Sequence, residues 1–150
     1  MAKILIFYYS SSGNTRKMAE AVVEGAKSVP GTDVELNYFV NAESLPEYDA
    51  IIVGAPTYHH DMTHGIRQLF EEASAKNLNL AEKVGASFGS YGWSGEAPKL
   101  VLELLKSKFS MKVLEPPLIA KNFPDIETLN KSKDLGKTVA EIVQQNKNKD

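Results

Sequence analysis

The sequence predicts an α/β fold, a doubly wound parallel sheet with helices on both faces. Three observations carry that prediction. Five short β-prone apolar runs alternate with five stretches of helical period along 150 residues. The runs are near-continuous in apolar residues, as in strands buried on both faces. A helix between successive strands permits parallel pairing, which two-residue turns would not.

Ile4–Tyr9 reads as the first strand, too short for a helix and bounded by Ser10–Ser12 and Gly13. From Asn14 the period changes to Met18, Val22, Ala26 and Val29, and Pro30-Gly31 stops that helix. Val34–Phe39 is a second strand, interrupted by Glu35 and Asn37 as on a sheet edge. Ala50–Ala55 is a third, closed by Pro56. Ile66, Leu69, Phe70 and Ala73 mark the next helix, with Thr63 as its candidate N-cap. Lys83–Gly89 is the fourth strand, weakened by Gly85. Ala97, Leu100, Val101, Leu104, Leu105 and Phe109 form the clearest amphipathic helix. Pro116-Pro117 splits or bulges the fifth strand between Val113-Leu114 and Leu118–Ala120. The last helix starts at Asp125 or Thr128 and runs to Gln145 with Leu135, Val139 and Ile142 inward. Residues 146–150 are expected to fray.

The length fits one domain, residues 1–150, with a core that needs no disulfide or metal staple. The absence of cysteine excludes disulfides, thiolate metal sites and a cysteine nucleophile. With 17 basic against 19 acidic residues, the net charge of −2 argues against nucleic-acid binding. No apolar run reaches membrane-spanning length. Met1, Ala2, Lys3 and Ile4 lead straight into the first strand, with no cleavable leader pattern, so a soluble cytoplasmic protein is expected.

Parallel sheets bind ligands beyond the carboxyl ends of their strands, near the switch in strand order. That directs attention to Ser10–Thr15, Pro56–His64 and Ser90–Glu96. The first loop, Ser10-Ser11-Ser12-Gly13-Asn14-Thr15, combines four hydroxyls, an amide and one glycine at a helix N-terminus, which suits a phosphate. A simple helix cap is the alternative. Neither G-x-G-x-x-G nor G-x-x-x-x-G-K-[ST] occurs. The other two loops offer faces for a flat ring. The single tryptophan, Trp93, stands among Gly92, Ser94 and Gly95 instead of in a periodic apolar segment, and Tyr58 and Tyr91 are further stacking candidates. The alternative is that these aromatics fold back over the sheet edge. His59, His60, Asp61 and His64 match no metal-ligand spacing, so no metal is expected.

Ile6-Phe7-Tyr8-Tyr9-Ser10-Ser11-Ser12-Gly13-Asn14-Thr15, followed by Ala19 and Val22, resembles the flavodoxin signature. The resemblance extends along the whole chain. It implies a three-layer flavodoxin-like fold with a five-stranded parallel sheet of order 2-1-3-4-5, and FMN as cofactor. It implies that Ser10, Ser12, Asn14 and Thr15 hold the FMN phosphate through side chains, with Ser11 and Gly13 giving backbone N–H. It sets the flavin ring between Pro56, Thr57, Tyr58, His59 and His60 on one side and Ser90, Tyr91, Gly92, Trp93 and Gly95 on the other. Phe88–Ala97 is similar to the flavin loop in the flavodoxin domain of flavodiiron proteins, whose di-iron domain 150 residues would not accommodate.

The implied function is transfer of low-potential electrons between redox proteins, an unidentified reductase and acceptor, with no catalytic residue of its own. Two departures stand out. Many flavodoxins carry a glycine after the second-loop aromatic, where a peptide flips toward the reduced ring, and His59 stands here instead. Flavodoxins are also typically very acidic, whereas this chain is close to neutral, with Asp61 and Glu96 the candidates for a local acidic rim. The alternative within flavin chemistry is an FMN-dependent NAD(P)H or quinone reductase. A phosphorylated receiver domain fails because no aspartate ends the first or third strand, and a tyrosine phosphatase of similar architecture fails for want of cysteine.

Overall fold

A computed structural model of the chain describes residues 2–149, so the Met1 and Asp150 parts of the terminal expectations lie outside the described residues. The chain order is β1 (Ala2–Tyr8), α1 (Asn14–Lys27), β2 (Thr32–Asn37), a 3-10 helix (Ala42–Glu47), β3 (Ala50–Gly54), α2 (His64–Ala75), β4 (Val84–Tyr91), α3 (Ala97–Phe109), β5 (Lys112–Val113), β6 (Leu118–Lys121) and α4 (Ile126–Asn148). Every strand pair is parallel, and the sheet order is β2-β1-β3-β4, with β5 and β6 sharing the place beyond β4. The expected order 2-1-3-4-5 is thus present, its fifth position split at the two prolines. β1 lies at the switch: Ile6 pairs with Leu36 of β2 on one side and Ile52 of β3 on the other. The chain leaves β1 in one direction and later returns to its other side. The carboxyl ends of β1 and β3 therefore open toward a common crevice.

Side chains alternate across the sheet and build two cores. Ile4, Ile6, Ile52 and Phe88 face Met18, Val22 and Val139 of α1 and α4. Leu5, Phe7, Ile51 and Val53 face Phe70 and Leu105 of α2 and α3. α1 and α4 come unusually close. A Cβ on Gly136 would sit 2.0 Å from the Val22 carbonyl oxygen, and one on Gly25 would sit 1.8 Å from that of Lys133. Those two glycines let the backbones touch, so the buried stripe of α4 is Ser132, Gly136, Val139, Ala140 and Val143. Leu135 and Ile142, expected inward, pack at its flank as half-buried residues. Small residues won the centre because the helix axes are so near.

Several boundaries differ from the sequence expectation. A 3-10 helix containing Pro46 lies between β2 and β3, where no element was expected, and a proline inside so short a segment blocks the α-helical ladder. β2 ends at Asn37, and Tyr38 and Phe39 leave the strand exposed. β1 ends at Tyr8 and α1 at Lys27, short of Val29. β4 runs on to Tyr91, so Ser90 and Tyr91 are strand residues held by β6 and not loop residues. Of the two candidate starts for the last helix, Asp125 caps it, its carboxylate accepting from the Thr128 N–H at 2.8 Å. α4 continues through Asn148 where fraying was expected. Thr63 does sit at the N-cap of α2, but its hydroxyl makes no capping bond and is buried without a partner among the described residues.

Candidate functional site

The first loop turns at Gly13, which starts α1 in the left-handed region at φ 91°. A side chain there would meet nothing within 4 Å, so the backbone angle, not space, calls for glycine. The Ser10 hydroxyl accepts from the N–H of Gly13 (3.0 Å) and of Arg16 (3.3 Å), which braces the loop. The Ser12 hydroxyl accepts a long bond from Asn14 N–H at 3.4 Å. The N–H groups of Ser11, Ser12 and Thr15 find no acceptor among the described residues. Three free amides at the positive end of a helix make a built anion cradle.

Thr15 points elsewhere. Its hydroxyl is buried, 3.0 Å from that of Ser90, and accepts from the Ser90 N–H at 3.2 Å. It ties the first loop to the end of β4. Beside this tie a cavity of about 230 Å³ opens between Ser10–Ser12 and Asn14–Thr15, the Pro56–Tyr58 segment, and Ser90–Gly92. Eleven of the predicted positions therefore meet around one space, whereas Gly13, His59, His60, Trp93 and Gly95 are not part of its lining. Asn122 also lines it, and no sequence motif marked it. It follows β6, whose carboxyl end, like that of β2, lies outside the three loops singled out by the sequence. Its N–H donates to the Tyr91 carbonyl at 2.7 Å, which places it against the same crevice.

The second loop is a tight hairpin. Tyr58 and Asp61 exchange both backbone hydrogen bonds at 3.0 Å, and His59 and His60 between them have φ 50° and 64°. Two left-handed residues in a two-residue loop define a type I′ turn, a place that normally takes Asn or Gly. His59, where a flexible glycine was the expectation of comparison, is thus already in the left-handed region. The Tyr58 hydroxyl hydrogen-bonds the Ser11 hydroxyl, and its ring lies edge-on to Tyr9.

The third loop carries Trp93, 87% exposed, so it does not fold back into the sheet edge. Its ring centroid is 5.4 Å from that of His60. Gly95 packs under Tyr91, where a Cβ would come within 3.0 Å of the ring. Two bonds tie the second loop to the start of α3. The buried Thr57 hydroxyl accepts from Ala97 N–H at 2.9 Å, and His60 Nδ1 lies 2.5 Å from Glu96 Oε2. The neighbouring Ser94 hydroxyl and the His60 ring hold the Glu96 carboxyl below the usual carboxylate range. Asp61 is taken by Arg67, with Nη2 at 2.6 Å from Oδ1. Asp61 and Glu96 are therefore both paired, and the expected acidic rim is internally compensated. No group of three His, Asp or Glu side chains lies in metal-binding reach among the described residues.

Residues 6–140 match the family model for flavodoxin. The chain belongs to the flavodoxin family. A flavodoxin from the domain Archaea is 39% identical, superposes with a TM-score of 0.86, and is covered over 99% of its length by 95% of this chain. The type A flavoprotein fprA of Rhodobacter capsulatus is 35% identical over 144 residues, which is 92% of this chain but 32% of that protein. The flavo-diiron protein FprA2 of Clostridium acetobutylicum is 31% identical, again with 93% of this chain on 36% of the relative. The chain thus spans about a third of the length of the curated relatives it matches.

FMN is the cofactor of this flavodoxin, and the residues present fit it. The free amides of the first loop suit the terminal phosphate, and the exposed Tyr58 and Trp93 rings suit a planar ring between the other two loops. Three of the basic side chains next to these loops are engaged elsewhere. Arg16 pairs with Glu20 at 3.6 Å, Arg67 holds Asp61, and Lys17 sits 4.2 Å over the Phe123 ring. No helix among the described residues is long and apolar enough to cross a membrane.

Proposed function

We propose that this flavodoxin is a soluble cytoplasmic carrier that moves low-potential electrons between a separate reductase and a separate acceptor. Bound FMN supplies one- and two-electron chemistry at its ring. The observation that carries the assignment is the cluster of unpaired N–H groups on Ser11, Ser12 and Thr15 beside a crevice lined by Tyr58 and Tyr91.

In this arrangement the phosphate rests on those amides, with Gly13 setting the curve of the loop and the Ser10, Ser12 and Asn14 side chains around it. Thr15 contributes its N–H, while its hydroxyl keeps β4 in place through Ser90. Tyr58 and Trp93 flank the ring. Pro56, Thr57, His59 and His60 form one wall, and Tyr91, Gly92 and Gly95 the other, their backbone groups facing the polar ring edge. With Arg16 and Arg67 already paired, the site offers little positive charge to an electron-rich ring, which favours a low potential. The 87% exposure of Trp93 places one edge of the slot at the surface, where a partner can approach.

The test is an absorbance spectrum of the protein loaded with FMN, followed through dithionite reduction and, separately, NADPH addition. A bound flavin that bleaches with dithionite and ignores NADPH is the expected result. Bleaching by NADPH alone would replace the carrier with a reductase, and a protein that binds no FMN would overturn both.

A further inference from the structure

The contact between His60 and Glu96 joins the two loops that wall the flavin slot, yet it touches neither the anion cradle nor the sheet. A carboxylate can only accept, so His60 Nδ1 carries the hydrogen toward Glu96 Oε2. The other carboxylate oxygen, Oε1, is shielded from water and has no partner among the described residues. An ionised carboxylate favours a cationic partner over a neutral one, here beside the Ser94 hydroxyl that also holds it. Ser94 adds its hydroxyl at 3.1 Å from Nδ1, and the indole of Trp93 lies against the same imidazole, a face that also prefers a cation. Other titratable groups on the surrounding elements are Tyr58 and His59 in the same hairpin, His64 at the first residue of α2, Tyr91 at the end of β4, Lys99 in the first turn of α3, and Asp61, paired with Arg67.

Building on the assignment of this slot to FMN, we propose that His60 and Glu96 are positioning residues that form a proton-controlled latch across it. With His60 protonated, the second and third loops are clasped and the cofactor is held. With His60 neutral, the clasp falls to an ordinary hydrogen bond and the loops part more readily.

The experiment is stopped-flow release of FMN, read by recovery of flavin fluorescence, from wild type, Glu96→Gln and His60→Asn at pH 5.5 and pH 8. Asparagine tolerates the left-handed backbone and does not titrate. The FMN phosphate titrates in the same range, so the readout is the ratio of variant to wild type at each pH. Both variants should release FMN roughly fivefold faster than wild type at pH 5.5 and by a clearly smaller factor at pH 8, where only the bond of a neutral His60 is lost, because charge assistance about doubles a hydrogen bond. An equal ratio at both values, or no acceleration, would overturn the latch. Trp93, the single tryptophan, gives a readout that needs no FMN. Its emission in the apoprotein should vary with pH across the histidine range, less so in Glu96→Gln and not at all in His60→Asn. The same curve in all three would sink the latch even if FMN binds. A protein that never binds FMN but shows the Trp93 signature would instead leave the clasp standing and remove its role on the flavin.

Discussion

In the first loop a glycine takes the left-handed residue, Gly13 at φ 91°, whereas in the second loop two histidines do, at 50° and 64°. The first loop is braced from within: Ser10 holds the N–H groups of Gly13 and Arg16, three and six residues away. The second is held from outside, by Thr57 on Ala97 and His60 on Glu96, across 40 and 36 residues. Each loop reaches a conformation that chain chemistry alone disfavours. One does so with the residue type suited to it, the other with tertiary bonds that offset the strain. A rigid cradle fits a phosphate that must stay put, and a remotely held turn fits the side of a slot that must admit a ring.

Gly13→Val breaks the internally braced loop most directly. Nothing lies within 4 Å of the added Cβ, so the whole cost is backbone strain. A β-branched residue at positive φ should lose about 2 kcal/mol of stability in urea denaturation, and FMN affinity by at least tenfold as the free amides turn away. Wild-type affinity in this variant would show that the cradle does not depend on the left-handed residue.

Thr57→Val is the counterpart at the externally held loop. It leaves the Ala97 N–H without its acceptor at the buried start of α3, a loss of about 1–2 kcal/mol. Ser10→Ala should cost less, about 0.5–1 kcal/mol, because water can reach the amides it uncovers. Hydrogen exchange at Ala97 should quicken only in the first of the two.

The same contrast explains what could be seen in advance. The alternation of strands and helices, the split at Pro116-Pro117 and the Ser10–Thr15 cradle are local patterns, written within a few residues of one another. The tie from Thr15 to Ser90 and the pairing of Glu96 with His60 span 75 and 36 residues, and nothing in either neighbourhood announces them. Glu96 and Asp61 look like surface acids until tertiary contact gives each a cation or an imidazole. Asn122 was hidden for a different reason: it enters the crevice because β6, beyond the prolines, extends alongside β4 as far as Tyr91. The apolar positions Leu135, Val139 and Ile142 do meet the core, but the small residues at the centre of the α4 face were not legible, because helix approach distance, set by Gly25 and Gly136 together, decides whether large or small side chains belong there.

A smaller effect of opposite sign should come from His59→Gly. Glycine meets no penalty at φ 50°, so stability should rise by about 0.5–1 kcal/mol, partly offset by the greater freedom of the unfolded chain. His60→Gly relieves comparable strain but gives up the bond to Glu96, and its melting temperature should fall below that of His59→Gly. Equal gains from both would mean that the His60 contact contributes nothing to holding the turn.

The smallest effect, and the finest test of the contrast, is its dependence on pH. Glu96 has its carboxyl lowered in the folded protein, first by Ser94 and then by His60. A group with a depressed folded pKa stabilises fully above its unfolded value, about 4.3 for a glutamate, and loses that contribution as pH falls through the folded value. The melting-temperature gap between wild type and Glu96→Gln should therefore be open at pH 6 and close progressively below about pH 4. Because the carboxylate is largely at the surface, added salt should shrink the gap as well. Ser10→Ala offers the control, since the loop it disturbs is braced by a hydroxyl and two amides with no ionisable partner. Its gap should hold steady over the same pH and salt range. Parallel behaviour of the two variants would mean that the second loop is held by packing and not by the charge on Glu96, and the distinction between the loops would then rest on backbone angles alone.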